Sequence, residues 1–228
     1  MLALSPVYVL HTRPFRNTSL IVELFSLQDG RIAAVANSAR GPKSRYQGQL
    51  QCFTPLLASW FGKHELKTLQ QIELNGMPWQ LNHHALFSAF YLNELLMRVL
   101  QKEDSHADIF SLYHDTLMCL EKNNAIESVL RIFEKRLLAA LGYGIPWTRE
   151  SQSGFPVEMN QYYEFFPTRG FVLCEKTLGK TAFLGEHLIA IANERFDNLA
   201  VLHSAKQLMR LAFQPLLGTY VLKSRVLF

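Results

Sequence analysis

The sequence predicts an α+β protein in two parts: an N-terminal five-stranded OB-like β-barrel over residues 1–80, then a mainly α-helical domain over residues 81–228 with a small irregular insertion at about 145–180. Three observations predict it. Up to residue 80, five short β-rich runs alternate with turn signals; beyond it, apolar residues recur at helical spacing; and the stretch 145–180 keeps neither period but is rich in Gly, Pro and aromatics.

The expected strands are Val7–His11, Leu20–Phe25, Arg31–Ala36, Gln51–Phe61 and Leu66–Leu74. Asp29-Gly30 reads as a hairpin turn, and Gly41-Pro42 and Gly62-Lys63 mark the later connections. Five strands in so short a segment suit a small closed barrel better than a sandwich, which uses about seven or more. Barrels of this kind hold single strands on a basic, partly aromatic face. Tyr8, Phe15, Phe25, Tyr46, Phe53, Trp60 and Phe61 are the stacking candidates, and strand alternation must send about half of them to the core.

Past residue 80, three amphipathic helices follow one another. They are marked by Leu92, Leu95, Leu96 and Val99; by Phe110, Tyr113 and Leu117; and by Ile126, Leu130, Phe133, Leu137 and Leu141. The third has Asn124 as cap with Glu127 three residues on, and stops at Gly142-Tyr-Gly144 before Pro146. Within the insertion, Tyr162–Phe166, Pro167-Thr-Arg-Gly170 and Phe171–Cys174 read as strand, turn and strand. Helicity resumes over Glu186–Asn193 and from Leu199 to about Leu217, with Leu202, Ala205, Leu208, Ala212 and Leu216 as its buried stripe.

With 228 residues, 49% of them hydrophobic, the chain can fill a real core, and no stretch approaches the roughly 20 apolar residues of a membrane span. The start lacks the features of a secretory signal, so a cytoplasmic protein is expected. Cys52, Cys119 and Cys174 are too far apart for a disulfide framework or a compact zinc-ligand pair and are expected to be small buried residues.

Charge is the informative feature. Residues 1–80 hold eight cations (Arg13, Arg16, Arg31, Arg40, Lys43, Arg45, Lys63 and Lys67) against four acids, whereas the other 148 residues carry 15 of each. Arg31, Arg40, Lys43 and Arg45 fall within fifteen residues free of acid, the last three in the loop Ala39–Arg45, where they should project into water as a positive rim for phosphates. A solvated turn is the plainer alternative. From Asn198 onward, Lys206, Arg210, Lys223 and Arg225 again have no acid among them, and this secondary basic tail suggests a polyanion surface drawn from both ends of the chain.

Catalytic motifs fail on inspection. Leu178-Gly-Lys-Thr181 ends like a phosphate-binding loop, but Cys174 stands where the first glycine belongs. His83-His84 and the group Asp104, His106, Asp108 are explained as well by capping and solvation as by metal binding, and Ser151-Gln-Ser-Gly154 lacks the glycine of a nucleophile elbow. No catalytic residue, cofactor or metal is expected. Two other classes stay open: an OB-fold protein-interaction scaffold that never touches DNA, and a nucleotide-using enzyme built around Lys180 and Thr181.

A family resemblance rests on Val9-Leu-His-Thr-Arg-Pro14 with Thr18-Ser19, Gly30-Arg31, Ala39-Arg40, Lys43-Ser44 and Gly48–Leu56. It continues through Glu65–Leu69, Tyr91–Arg98, Leu130–Glu134, Leu137–Gly144 and Leu222-Lys-Ser-Arg225. In their order and spacing these segments resemble the bacterial RecO recombination-mediator proteins over nearly the full length. The resemblance implies an OB-fold joined to a helical domain with no reaction of its own. It also implies binding of single- and double-stranded DNA, annealing of complementary strands, and work with RecR to load RecA onto DNA covered by single-strand-binding protein. It further implies capture of that protein's acidic, Phe-ending tail, for which Arg131 matches in position; pairing with Glu127 or Glu134 is the ordinary alternative.

Two departures stand out. Many members carry a four-cysteine zinc site in the insertion, but Gly144–Lys176 offers only Cys174, and Glu150 lies where the first cysteine would be, so no zinc is expected. The lysine-glycine pair that commonly precedes Ala39-Arg40 is replaced by Asn37-Ser38, which predicts weaker strand binding.

Overall fold

A computed structural model describes residues 4–46, 48–122, 125–175 and 181–224. Five strands, β1 (Ser5–Phe15), β2 (Ser19–Ser26), β3 (Gly30–Ala36), β4 (Leu56–Phe61) and β5 (Leu66–Leu74), close into a barrel in the order β1-β2-β3-β5-β4, with β3 and β5 parallel and the other pairs antiparallel. This is the five-stranded Greek-key order of an OB-fold. Alternate residues such as Val7, Val9, Val22, Leu24, Ile32, Leu56 and Leu69 fill the interior, because successive side chains of a strand face opposite ways. Strand β1 is longer than its apolar run, reaching Phe15, while Gln51–Pro55 is loop with a single bridge from Cys52 to Val9.

The other face of β1 and β2 is buried too. Tyr8 and Phe25 turn outward onto Phe110 and Tyr113 of α2 (Ala107–Lys122), with ring centroids 5.1 to 6.3 Å apart. Helix α1 (His83–Val99) supplies Asn93, whose amide donates to the carbonyl of Leu10 at 2.9 Å, where β1 bulges, and whose oxygen accepts from the Tyr113 hydroxyl. The bulge carbonyl also accepts from the Cys52 thiol at 3.6 Å, so Asn93 supplies the stronger of its two bonds, worth roughly 0.5–1.5 kcal/mol. Burial pushes the Tyr113 hydroxyl well above its ordinary range and the Cys52 thiol up to about 11, so both are neutral packing groups. Cys52 and Cys174 are half-buried and Cys119 is exposed, which corrects the expectation of three buried cysteines.

The chain folds as two compact units, Met1–Asn123 with Leu222–Phe228, and Asn124–Val221. In the first, the returning segment is held by Glu94, whose carboxylate accepts from the backbone N–H groups of Lys223 and Ser224 and from the Ser224 hydroxyl. The second packs α3 (Ile126–Ala140), α4 (Gly185–Ala192) and α5 (Leu199–Leu217) with a three-stranded sheet, β7 (Gly170–Cys174), β6 (Tyr162–Phe166) and β8 (Ala182–Leu184). Helix α3 ends in a Schellman motif: Gly142, at φ +82°, donates to Ala139, and Tyr143 donates to Leu138. Asn124, the expected cap of this helix, lies outside the described residues, and Glu127 reaches Lys206 at 3.2 Å instead of its own helix start. On α5 the buried stripe is Val201, Ala205, Leu208, Met209, Ala212 and Phe213, with Leu202 and Leu216 only half-buried.

Candidate nucleic-acid interface

Strand register sorts the eight expected cations of the barrel into two sets. Phe15 pairs with Ser19, and Leu20 with Ala36, so the β1–β2 turn and the start of the β3–β4 loop share one end. Here lie Arg13, Arg16, Arg40, Lys43 and Arg45. The β2–β3 turn, Leu27–Asp29, and the β4–β5 turn lie at the other, since Leu66 pairs in parallel with Ala33; there lie Arg31, Lys63 and Lys67.

At the first end Arg40 is the organiser. Its Nη2 donates to the carbonyls of Arg16 and Asn17, both at 2.8 Å, its Nε to that of Ser19 at 3.3 Å, and its backbone N–H to Thr18 at 2.7 Å. The loop is thereby tied across the hairpin turn. Arg16 at φ +50° and Ser38 at φ +56° are both left-handed without being glycine, a conformation that costs roughly 1–2 kcal/mol per residue and persists where its surroundings enforce it. Arg45 rests on the Tyr46 ring, 4.8 Å from its centroid, and donates to the Tyr46 hydroxyl and the Leu69 carbonyl; Tyr46 itself plugs the barrel core. Arg16 stacks on Phe15 at 5.1 Å. Arg13, Arg16 and Lys43 are exposed, and among the described residues no ion pair engages their side chains. Residues 11–22 and 30–64 contain no acid, so nothing on these segments neutralises the edge.

The second end differs. Arg31 pairs with Glu23 at 3.3 Å and donates through Nε to the Leu100 carbonyl; both side chains are largely buried. Lys67 lies in register with the inward-facing Ala34, so its stem runs through the barrel end before its ammonium meets Glu103 at 2.9 Å. Lys102 pairs with Glu65, and the N–H of Glu103 donates to the Arg31 carbonyl. Only Lys63 is exposed without a described partner. The expectation that Arg31, Arg40, Lys43 and Arg45 project into water holds for the last three, which are exposed although Arg40 and Arg45 also donate to backbone, and is corrected for Arg31, which with Lys67 pins the α1–α2 connection to the barrel.

Of the stacking candidates, Tyr8, Phe25, Tyr46 and Phe53 are buried, Phe15 and Trp60 are partly exposed, and Phe61 is 51% exposed. In the basic tail, Lys206 pairs with Glu127, Arg210 and Lys223 are exposed, and Arg225 lies outside the described residues. Lys206 and Arg210 belong to the second unit and Lys223 to the first.

Arg131 is buried, 4% exposed, with Nη2 on Glu134 at 3.1 Å and Nε without a partner. The guanidinium expected to hold an acidic tail is thus paired with the carboxylate one turn on in the same helix. In the insertion, the Glu150 carboxylate accepts from the N–H groups of Gln152 and Ser153 and from the Ser153 hydroxyl, and these bonds hold it below the usual carboxylate range. A carboxylate consumed by its own turn and one cysteine do not fit a four-thiolate zinc site. His83 and His84 are exposed, His106 bonds Asp104 at 3.2 Å, and among the described residues no three His, Cys, Asp or Glu side chains converge as metal ligands. Lys180 lies outside the described residues. No described helix is long and apolar enough to cross a membrane.

A closed OB-topology barrel with a cation-bearing edge, followed by a helical region, defines a two-part OB-fold protein, a class whose barrels bind oligonucleotides or oligosaccharides. Comparison with known sequences makes the class specific. Residues 1–77 match the family model for the Recombination protein O N terminal, and residues 80–225 the model for its C terminal. A "DNA repair protein RecO" of Coxiella burnetii (strain CbuG_Q212) is 47% identical over 99% of this chain and 97% of its own length, and one of Pseudoalteromonas atlantica is 42% identical over 97% and 92%. A RecO protein of Haemophilus influenzae (strain PittGG) is 40% identical over 97% and 93%. The chain belongs to the RecO family of DNA repair proteins.

Proposed function

We propose that the protein binds single- and double-stranded DNA through the β1–β2 turn end of its barrel and brings complementary strands together without chemistry. The observation that carries this reading is the tie between Arg40 and the carbonyls of Arg16, Asn17 and Ser19, which gathers Arg13, Arg16 and Lys43 on one acid-free edge. OB-folds hold nucleic acid on the strand 2–3 face and on the loops beside it, and here the loop after strand 1 carries Arg16. Two polyanions repel one another, and a cation edge that releases counterions lowers that repulsion without a nucleotide. Phe61, Phe15 and Trp60 are the rings left to stack on bases, at roughly 1–3 kcal/mol each.

In this reading the protein acts in the cytoplasm, on the nucleoid, with RecR, and helps RecA onto DNA coated by single-strand-binding protein, whose acidic tail it contacts at Arg131. The deciding experiment is a strand-annealing assay without nucleotide, comparing wild type with the Arg13→Ala/Arg16→Ala/Lys43→Ala variant. Annealing by the variant at the wild-type rate would overturn the assignment. A midpoint of DNA binding that barely moves between low and moderate salt would favour the scaffold reading instead.

A further inference from the structure

We propose that a cleft at the β2–β3 turn end of the first unit is a docking site for a protein segment that presents an apolar side chain beside lysine or arginine. The cleft, of about 560 Å³, is bordered by the start of β1, Leu27 of the β2–β3 turn, Pro55 and Leu56, the segment Asn75–Trp79 and one face of α2. Its size lies within the range of specific ligand pockets, roughly 300–1,000 Å³, and its walls are mostly apolar, with Pro6, Pro55, Pro78, Trp79 and Phe110 among them. Rigid rings and prolines give up little conformational freedom when something is bound against them.

The polar groups are few and directed. Trp79 Nε1 donates to the Tyr8 hydroxyl at 3.3 Å, and that hydroxyl lies 2.7 Å from His114 Nδ1. An indole can only donate, so with His114 neutral the hydroxyl proton goes to Nδ1 and Nε2 carries the imidazole proton. The chain of three is thereby ordered before any ligand arrives. Among the described residues no lysine or arginine lines the cleft and the one carboxylate is Glu121, steadied by the N–H of Gln80 on Oε1 at 2.6 Å. Such a lining rejects phosphate and carboxylate and complements a cation. Met77 of the lining is 82% exposed and Leu74 beside it 58%, an apolar apron of the adaptable kind used in peptide recognition.

The site stands apart from the cationic edge. β1 passes from the cleft at Pro6–Tyr8 to its turn after Phe15, a rise of roughly 3.3 Å per residue that puts on the order of 25 Å between them. An occupant here leaves the other end of the barrel open, and the assignment holds whether or not that end binds DNA.

The test is a titration of the full-length ¹⁵N-labelled protein, read at the Trp79 indole N–H, with three peptides of the form acetyl-Gly-X-Gly-amide in which X is Lys-Phe-Lys, Glu-Phe-Glu or Lys-Ala-Lys. The Lys-Phe-Lys peptide should shift the resonance saturably. Glu-Phe-Glu should bind about fivefold more weakly or worse, as the loss of one partly exposed charge pair dictates, and Lys-Ala-Lys should not saturate. Glu121→Gln should reduce the difference between the two Phe peptides to about twofold or less, and Met77→Ser, a change in an exposed side chain, should weaken both. An unmoved Trp79 resonance, equal binding of the acidic peptide, or equal binding of Lys-Ala-Lys would each overturn the proposal.

Discussion

The two ends of the barrel carry the same residue types to opposite purposes. At the β2–β3 turn end, Arg31 and Lys67 meet Glu23 and Glu103, and their charge is spent on fixing the α1–α2 connection. At the β1–β2 turn end, Arg40 is satisfied by carbonyls, which use its donors but leave its charge unneutralised, and Arg13, Arg16 and Lys43 stand in water around it. A cation count therefore does not locate a polyanion surface; the distribution of carboxylates does.

Substitutions can break this contrast, the largest effect being expected at Gly30. Its φ is +66°, and a Cβ would fall 1.8 Å from the Asp104 carbonyl oxygen, so Gly30→Ala must displace the α1–α2 connection. A loss of about 3 kcal/mol is expected, a fall in Tm of roughly 6–12 °C by calorimetry, with DNA binding by the folded fraction unchanged. Arg31→Ala strands the largely buried Glu23 carboxylate and should cost about 2 kcal/mol in urea denaturation, again without weakening DNA binding at low salt. Arg40→Ala inverts the pattern. It frees three carbonyls that water can reach, so about 1 kcal/mol of stability should go, while annealing falls further than for Lys43→Ala, because the edge loses its order as well as a charge.

These residues also mark how far the sequence could be read. The barrel, the position of every helix and the β6–β7 hairpin were legible because turn signals and apolar period act locally. β8, three residues long, has no period to detect, and the extension of β1 through Pro14 depends on pairing with β2 and not on local propensity. Charge clustering pointed to the barrel's cations but could not divide them, since Glu23 and Glu103 lie eight and thirty-six residues from their partners. The burial of Arg131 was not legible either: its neighbours in sequence suit a helix surface, but α3 has more than one packed face. The cleft around Trp79 was invisible, because it is assembled from five separate segments.

The smallest effect is local and pH-dependent. Glu150 is held ionised by Ser153 and Gln152, so its folded-state pKa is depressed; the turn's stabilisation is complete above the ordinary carboxylate range, near 4.3, and is lost as the pH falls through the depressed value. Glu150→Gln should raise the amide exchange rate of Ser153 at pH 7 and make no difference at a pH below both values. Protection in the variant equal to wild type at pH 7 would remove the carboxylate from this role.

The most direct measurement of the central claim is the slope of log affinity against log salt for a single-stranded oligonucleotide, taken for wild type, Arg13→Ala/Arg16→Ala/Lys43→Ala, and Arg31→Ala/Lys67→Met. At roughly 0.7 per phosphate contact on a single strand, removal of three exposed cations should flatten the slope by about 2, whereas removal of the two paired ones should leave it within error of wild type. Equal flattening by both variants, or by neither, would contradict the account.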